Sequence, residues 1–94
     1  MMVDLGGGVL VSDRDIVGIF DLDITSQSYR TRQYLREAQD RGQILTVDAE
    51  ELPKSFVVCA AGEEQSVILS PLAPKTLHRR VRSGGMGAVG EGLV

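Results

Sequence analysis

The stretch SFVVCAAGEEQSVILS, residues Ser55–Ser70, holds two apolar runs separated by a short polar segment. The runs Ser55–Ala61 and Ser66–Ser70 are rich in residues that favour strands. The segment between them, Gly62-Glu63-Glu64-Gln65, combines a glycine with polar residues. Two strand-like runs joined by a few residues that include glycine are typical of a β-hairpin. The stretch therefore predicts two neighbouring antiparallel strands.

Four shorter runs upstream also indicate strands. Met1–Asp4 and Val9–Ser12 lie on either side of Gly6-Gly7-Gly8, a flexible bend, and Ile44–Val47 is a third short run. The fourth, Ile16–Asp21, is nearly all apolar. Such a run predicts a central strand that is covered on more than one side.

One long helical pattern, Tyr29–Arg41, stands between these runs. Ser28 or Ser26 is the best N-cap candidate, and Gly42 is a suitable C-terminal stop. The residues that share its apolar face at helical spacing are Thr31, Tyr34, Leu35 and Ala38. The pattern predicts the main helix of the domain.

A second, shorter helix is predicted at Pro74–Arg82, because proline is tolerated in a first turn and Leu77 and Val81 are spaced to dock it. Residues 83–94 are glycine-rich and short of bulky side chains, which predicts a disordered tail. The order β-β-β-α-β-β-β-α indicates one α+β domain over residues 1–82, with a small, mostly antiparallel sheet, one main helix and a short C-terminal helix.

The composition fits a small globular domain. The chain has 94 residues, 43% of them hydrophobic, and a core of this size gains from oligomerisation. No apolar run approaches the roughly 20 residues of a membrane span, and we expect neither a membrane partner nor a secretory signal. The single cysteine cannot form an internal disulfide, so the cytoplasm is the expected compartment.

The net charge of −3 hides two blocks of cations. The first block, on the predicted main helix, offers four arginines to phosphates: Arg30, Arg32, Arg36 and Arg41. The second block is denser, because no acid stands between Glu64 and Glu91, and it contains Lys75, Arg79 and Arg80. The higher density of positive charge makes the second block a stronger candidate for phosphate contact than an ordinary charged surface. The alternative for both blocks is a solvent-exposed helix face with no ligand.

The segment Gly85–Gly90 matches the pattern G-x-G-x-x-G of dinucleotide-binding loops. Such a site needs a strand before the glycines and a helix with an acidic residue after them. Here a basic helix is predicted before the glycines, and only four residues follow them. We interpret the segment as part of the tail and expect no cofactor.

Cys59 and His78 are the one cysteine and the one histidine, and they are the obvious nucleophile and base to consider. Cys59 lies within an apolar run and is expected to be buried, and His78 is expected at the surface without an acid to orient it. One residue of each kind cannot build a zinc site by itself. The acids Asp21 and Asp23 lack the remainder of a calcium loop. The sequence predicts no enzyme, no metal site and no small-molecule substrate.

Four phrases occur in order along the chain: GGGVLVSDRDIVGIFD (6–21), REAQDRG (36–42), SFVV (55–58) and ILSPLAPKTLHRR (68–80). Together they resemble one known family, the extracellular matrix regulators RemA and RemB. The resemblance runs from about Val3 to Arg82 and looks closer to RemB. It implies a cytosolic bacterial regulator of biofilm-matrix genes that binds duplex DNA and assembles into a ring.

The resemblance also implies where DNA would be contacted. RemA-like members carry arginines after the second strand and in the loop before the hairpin, and the matching cations here are Arg14 and Lys54. Only Lys54 stands where those members have an arginine pair, and Glu50 and Glu51 precede it. Arg14 is part of Ser12–Asp15, whose short polar side chains predict a turn.

A ring is compatible with the predicted strands. An edge strand such as Met1–Asp4 or Ser66–Ser70 is a pairing hazard unless it is covered, and a heterologous contact between subunits covers it and can close a ring. Many weak sites on such a homo-oligomer then act together on one duplex. The leading hypothesis is thus a non-enzymatic, ring-forming, DNA-binding transcriptional regulator. The alternative is an oligomeric protein-interaction module without DNA affinity, whose partner surface would be the acids around Glu50-Glu51 and Glu63-Glu64.

Overall fold

The structure is a computed structural model that describes residues 1–83. The predictions of a disordered tail and of a glycine motif at Gly85–Gly90 therefore fall outside the described residues, apart from Ser83, which follows the last helix in a turn. The elements are β1 (Met2–Asp4), β2 (Leu10–Ser12), a 3-10 turn (Asp13–Asp15), β3 (Ile16–Asp21), α1 (Leu22–Thr25), α2 (Tyr29–Asp40), β4 (Ile44–Thr46), β5 (Ser55–Ala61), β6 (Glu64–Ser70) and α3 (Pro74–Arg82).

The predicted α+β architecture is confirmed. The main sheet has the strand order β3-β5-β6-β4, in which β4 runs parallel to β6 and the other pairs are antiparallel; β1 and β2 form a separate two-stranded sheet. The predicted hairpin is β5 and β6, with Ala61 opposite Glu64, so that β6 begins two residues earlier than the sequence indicates. Gly62 takes the tight turn with a φ of 64°, a conformation that favours glycine.

The domain has two hydrophobic cores, one on each face of the main sheet. The hairpin strand β5 contributes side chains to both, because its side chains alternate between the two faces. Val57 and Cys59 join one cluster with residues of β1, β6 and α3, which we call the α3-side core. Phe56 and Val58 join the other cluster with Ala38 of α2, which we call the α2-side core. The domain therefore has three layers: α2, the main sheet, and the β1–β2 pair with α3.

Two buried serines fasten the N-terminal segment and the segment after β6 to the sheet. Ser70 on β6 donates a hydrogen bond to the carbonyl of Leu5 (2.7 Å) and accepts one from the backbone of Leu72 (3.1 Å). Ser55, its neighbour on β5, donates to the carbonyl of Leu72 (2.7 Å). These bonds satisfy irregular backbone that would otherwise be costly to bury.

The prediction that Ile16–Asp21 is a central strand is wrong. This segment, β3, lies at one edge of the main sheet and pairs only with β5 among the described residues. Val17 is 66% exposed, and a register shift between Ile16 and Gly18 leaves it without a residue opposite. An apolar run indicates that the side chains of a strand are buried, but it does not identify the strands that pair with it.

The prediction of edge strands is correct for the first strand and wrong for the hairpin. Met1–Asp4 contains β1, which pairs with β2 alone. Ser66–Ser70 lies in β6, between β5 and β4. Its second neighbour, β4, is three residues long, and a run that short carries little signal for strand order.

The predicted turn at Ser12–Asp15 is a single 3-10 turn, and the serine hydroxyl accepts a hydrogen bond from the backbone of Arg14 (3.3 Å). The predicted helices are α2 and α3. The apolar face of α2 points inward with Ala38 buried, and Leu77 of α3 is fully buried with Val81 packed beside it. Ser28 is the N-cap residue of α2 by position, although its side chain makes no capping hydrogen bond.

Gly18 makes room for an aromatic pair between the edge strand β3 and its neighbour β5. The rings of Phe20 and Phe56 stack with centroids 4.9 Å apart and planes 20° from parallel. A Cβ atom on Gly18 would lie 2.6 Å from Cε2 of Phe20, closer than real Cβ contacts allow. Glycine at this position therefore lets the Phe20 ring lie flat against the sheet.

We expect Gly18→Ala to lower the free energy of unfolding by about 0.5–1.5 kcal/mol, the value of an aromatic pair, because the Phe20 ring must move away from Phe56. Urea denaturation of the wild type and the variant measures this change. The matched control is Gly18→Ala in a Phe20→Leu background, where the methyl group has less to displace. Equal costs in both backgrounds would contradict this explanation.

Candidate nucleic-acid interface

The two basic blocks lie on opposite faces of the main sheet. Arg30, Arg32 and Arg36 are exposed on α2, which covers one face. Lys75 and Arg79 are exposed on α3, which packs against the other. A single flat surface of one subunit therefore cannot present both blocks to the same side of a duplex.

Arg32 supports the fold as well as carrying charge. Its Nη1 atom donates hydrogen bonds to the carbonyls of Ser26 (3.0 Å) and Gln27 (3.1 Å). Carbonyls that follow a helix end lack intrahelical partners, so the guanidinium stabilises the connection from α1 to α2. Arg30 and Arg36 have no such recorded bond within residues 1–83 and are better placed to meet a ligand.

Arg80 differs from its neighbours on α3 because it is half-buried. Its Nη1 atom donates to the carbonyl of Asp4 at the end of β1 (3.0 Å). Its Nε atom is buried and has no hydrogen-bond partner among the described residues. Arg80 thus anchors α3 to the N-terminal strand pair. The sequence does contain a signal for this role, since Arg80 lies three residues after Leu77 and next to Val81, on the apolar side of the helix.

Arg14 and Lys54 lie towards opposite ends of the β3–β5 pair. Arg14 is exposed on the 3-10 turn just before Ile16, which pairs with Cys59. Lys54 is exposed just before Ser55, which pairs with Asp21 at the other end of β3. At 3.3 Å per residue, the five steps from Ile16 to Asp21 span roughly 17 Å. Within one subunit the two cations are therefore separate contacts and not one pocket.

The backbone of Lys54 is firmly held. Its N–H donates to the carbonyl of Ser70 (2.8 Å), and its carbonyl accepts from the N–H of Leu22 (2.9 Å). The acidic loop before it is organised by Asp48, which accepts hydrogen bonds from the backbone of Glu50 (3.0 Å) and Glu51 (3.3 Å). Lys54 is thus an exposed cation on a rigid base, close in sequence to two exposed carboxylates that lower its local potential.

Cys59 is confirmed as a buried thiol and His78 as a surface side chain. Cys59 lies in the α3-side core, and burial, with a smaller contribution from the carboxylate of Asp15, raises the pKa of its thiol. A raised pKa keeps the thiol protonated and a weak nucleophile at neutral pH. The expected absence of catalytic activity stays a prediction, because the burial of Cys59 bears only on the reactivity of that one residue.

Residues 1–83 contain no group of three or more histidine, cysteine, aspartate or glutamate side chains arranged to hold a metal ion. The helices in the same range are all too short or too polar to cross a bilayer.

Sequence reasoning missed an exposed apolar groove between β3 and α2, which we call the β3–α2 groove. It has a volume of about 410 Å³. Its lining includes Val17, Phe20, Tyr34, Phe56, Val58 and Arg30. The helical spacing of α2 shows which side faces the sheet, but no local pattern shows that α2 leaves part of that sheet uncovered.

Comparison with known proteins gives two matches. The RemA-like family, described as extracellular matrix regulatory protein A-like, matches residues 2–81. Extracellular matrix regulatory protein B of Bacillus subtilis (strain 168) is 33% identical over 82 residues, which cover 87% of this chain and 91% of that protein.

We expect Cys59 to react slowly with a thiol reagent at neutral pH, because access is blocked and the raised pKa depletes the thiolate. Its pH–rate profile should lie at higher pH than that of the same protein in denaturant. Stopped-flow measurement with a disulfide reagent tests both. A native rate equal to the unfolded rate would show that the thiol is accessible and unperturbed.

We expect Arg80→Ala to lower the free energy of unfolding by about 1–2 kcal/mol, because it removes a charged hydrogen bond and the packing of a half-buried side chain. Arg79→Ala, one residue earlier on the exposed side of α3, should leave stability unchanged within error. Thermal and urea denaturation of both variants measure the difference. Equal effects would show that the bond to Asp4 does not anchor the helix.

Proposed function

The chain belongs to the RemA-like family of extracellular matrix regulatory proteins, and on that premise we propose that it is a non-enzymatic transcriptional regulator that binds duplex DNA as a homo-oligomer. The predicted resemblance to RemA and RemB, closer to RemB, is confirmed by the two matches. The proposed DNA contacts are to backbone phosphates, and the proposed place of action is the cytoplasm.

The observation that carries the proposal is the exposed position of Arg14 on an ordered turn. This residue occupies the position where the family resemblance implies a phosphate contact, and it is exposed on a short turn whose first residue, Ser12, accepts a hydrogen bond from its backbone. Because the backbone of the turn is already ordered, only the side chain of Arg14 must lose freedom when it meets a phosphate. Asp13 and Asp15 flank it, so a single copy would bind weakly.

Assembly would compensate for that weakness. One subunit carries a net charge of −3, and its candidate cations are spread over two faces and both ends of the sheet. In a homo-oligomer the second and later contacts to one duplex are effectively intramolecular, so weak sites sum to useful affinity. We therefore propose a closed assembly, with the ring that the resemblance implies as its form.

The separation of the basic blocks limits the choice of contact surface. A duplex that runs along one side of the assembly would meet either the α2 face or the α3 face of a subunit. We place the contact at Arg14 and Lys54, with Arg30 and Arg36 as the next candidates and Arg32 contributing charge. Lys75, Arg79 and the partly engaged Arg80 form the competing surface.

A second candidate function, a protein-interaction module without DNA affinity, is favoured by one observation. In the exposed loop before β5, only Lys54 stands where the resemblance implies an arginine pair, and Glu50 and Glu51 precede it, so the surface beside Lys54 is acidic. Such a surface suits a basic protein partner better than a phosphate backbone.

Fluorescence anisotropy of labelled duplex DNA at about 50 mM and 200 mM salt separates the two functions. A phosphate-binding oligomer should bind at the lower salt and lose affinity steeply at the higher salt. Absence of binding at the lower salt, with the protein shown to be folded, would contradict DNA binding and favour the interaction module.

We expect the double variant Arg14→Ala/Lys54→Ala to lose at least about tenfold in affinity and to show a smaller salt slope, because each lost phosphate contact reduces counterion release. The matched control is Lys75→Ala/Arg79→Ala, which removes the same net charge from exposed positions on the other face. The same anisotropy titration measures both variants. Loss of binding in the control and not in the first variant would move the contact to α3.

A further inference from the structure

The α2-side face of the main sheet is only partly covered. Four strands spaced 4.8 Å apart make a surface about 19 Å wide, whereas one helix is about 10 Å across. Helix α2 packs over β4 and β6, with Leu35 and Ala38 against the α2-side core. The edge strand β3 is left open, with Val17 66% and Phe20 39% exposed, whereas Phe56 and Val58 of β5 are already buried. These four residues contribute to the lining of the β3–α2 groove.

The groove is built in advance of any ligand. Gly18 allows the Phe20 ring to lie flat and to stack on Phe56, so the buried Phe56 supports an exposed Phe20 ring on the floor of the groove. Val17, 66% exposed, forms the outer wall, and Tyr34 of α2 stands across from it. Among residues 1–83, Arg30 is the only charged residue in the lining. The groove is therefore apolar with a cation on its rim.

The adjoining edge strand is poorly suited to pair with another strand. The register shift at Val17 is a β-bulge, and bulges interrupt the regular row of backbone groups that strand addition requires. A partner would therefore bind here mainly through side chains that enter the groove.

The same chain displays a side chain of the right kind. Leu52 is 88% exposed, more than any other large hydrophobic side chain among the described residues. It lies in the loop that Asp48 organises, between Glu51 and Pro53, so it is presented on an ordered turn. Because it is almost fully exposed, it does not occupy the groove of its own subunit.

We infer that Leu52 of one copy inserts into the β3–α2 groove of a second copy, with Glu50 and Glu51 beside Arg30 on the rim. The inference rests on the proposed assembly and identifies one of its contacts. Its support is complementarity: an apolar side chain flanked by two carboxylates faces an apolar groove whose one charged residue is an arginine. Burial of Leu52 against the exposed Val17 and Phe20 drives the contact, and the charges set its orientation.

The contact joins two different surfaces of the subunit. Contacts of this kind are heterologous and produce closed rings when the rotation between copies closes. The alternative symmetry is a twofold exchange, in which each of two copies inserts its leucine into the other. Both use the same contact, and the number of subunits distinguishes them.

The test measures subunit number by light scattering after size-exclusion chromatography, without DNA. We expect the wild type to be oligomeric and both Leu52→Asp and Val17→Asp to be reduced to single subunits. The matched control is Leu10→Asp, an exposed leucine on β2 outside the groove, which should keep the wild-type mass. Circular dichroism of each variant verifies that it is folded.

A mixture of the two monomeric variants gives a second, independent readout. The Val17→Asp variant retains an intact Leu52, and the Leu52→Asp variant retains an intact groove. Their mixture should form a one-to-one heterodimer through the single remaining contact. A mixture that stays monomeric, or a Leu52→Asp variant with the wild-type mass, would overturn the inference.

Failure of this inference is distinct from failure of the proposed function. A wild-type protein that is monomeric but binds duplex DNA would overturn the contact and leave DNA binding in place. A wild-type oligomer that Leu52→Asp dissociates but that does not bind DNA would support the contact and overturn the proposed regulator. A wild-type dimer that Leu52→Asp dissociates would support the contact and exclude the ring.

Discussion

The need to cover strand β5 on both of its faces governs this structure. Five consecutive residues, Ser55–Cys59, are buried, and their side chains alternate between two cores. A strand in that position cannot belong to a two-layer domain with one face in water, so the chain must supply a layer on each side. One layer is α2. The other is assembled from both ends of the chain, because β1 and β2 precede the sheet and α3 follows it.

The two layers are fastened in different ways, and the difference bears on function. On the α3 side, Ser70 and Arg80 reach from β6 and α3 to the carbonyls of Leu5 and Asp4, so polar bonds lock the N-terminal segment in place. On the α2 side, one helix covers only part of a four-stranded sheet, and an apolar groove remains beside β3. On the α3 side, Arg80 is engaged by its hydrogen bond to Asp4 and is therefore less available to contact a phosphate. The arrangement on the α2 side leaves a surface that a further subunit can complete.

Much of this fold could be predicted from the sequence, because its strongest signals are local. The hairpin follows from two apolar runs around Gly62, and α2 and α3 follow from the spacing of their apolar residues. Strand order was not predictable in the same way: the apolar run of β3 resembles that of a central strand, although β3 lies at the edge with Val17 exposed. That placement depends on pairing between distant segments, which no local pattern encodes.

The candidate site was predicted in its residue types but not in its geometry. The candidate cations could be identified from the sequence. Only the structure shows that Arg14 and Lys54 are separated along β3 and that the two basic blocks lie on opposite faces of the sheet. Arg80 shows the limit most clearly, because a charge count cannot distinguish a solvated arginine from one bonded to a carbonyl. The groove could not be predicted at all, since it results from what α2 fails to cover.

The central claim is that several subunits act together on one duplex, and sedimentation velocity of the protein with a short labelled duplex tests it most directly. The account predicts that the labelled DNA sediments with a closed assembly of more than two subunits, and that no complex of intermediate size accumulates as protein is added. A complex of one subunit per duplex, which grows stepwise with protein concentration, would contradict it.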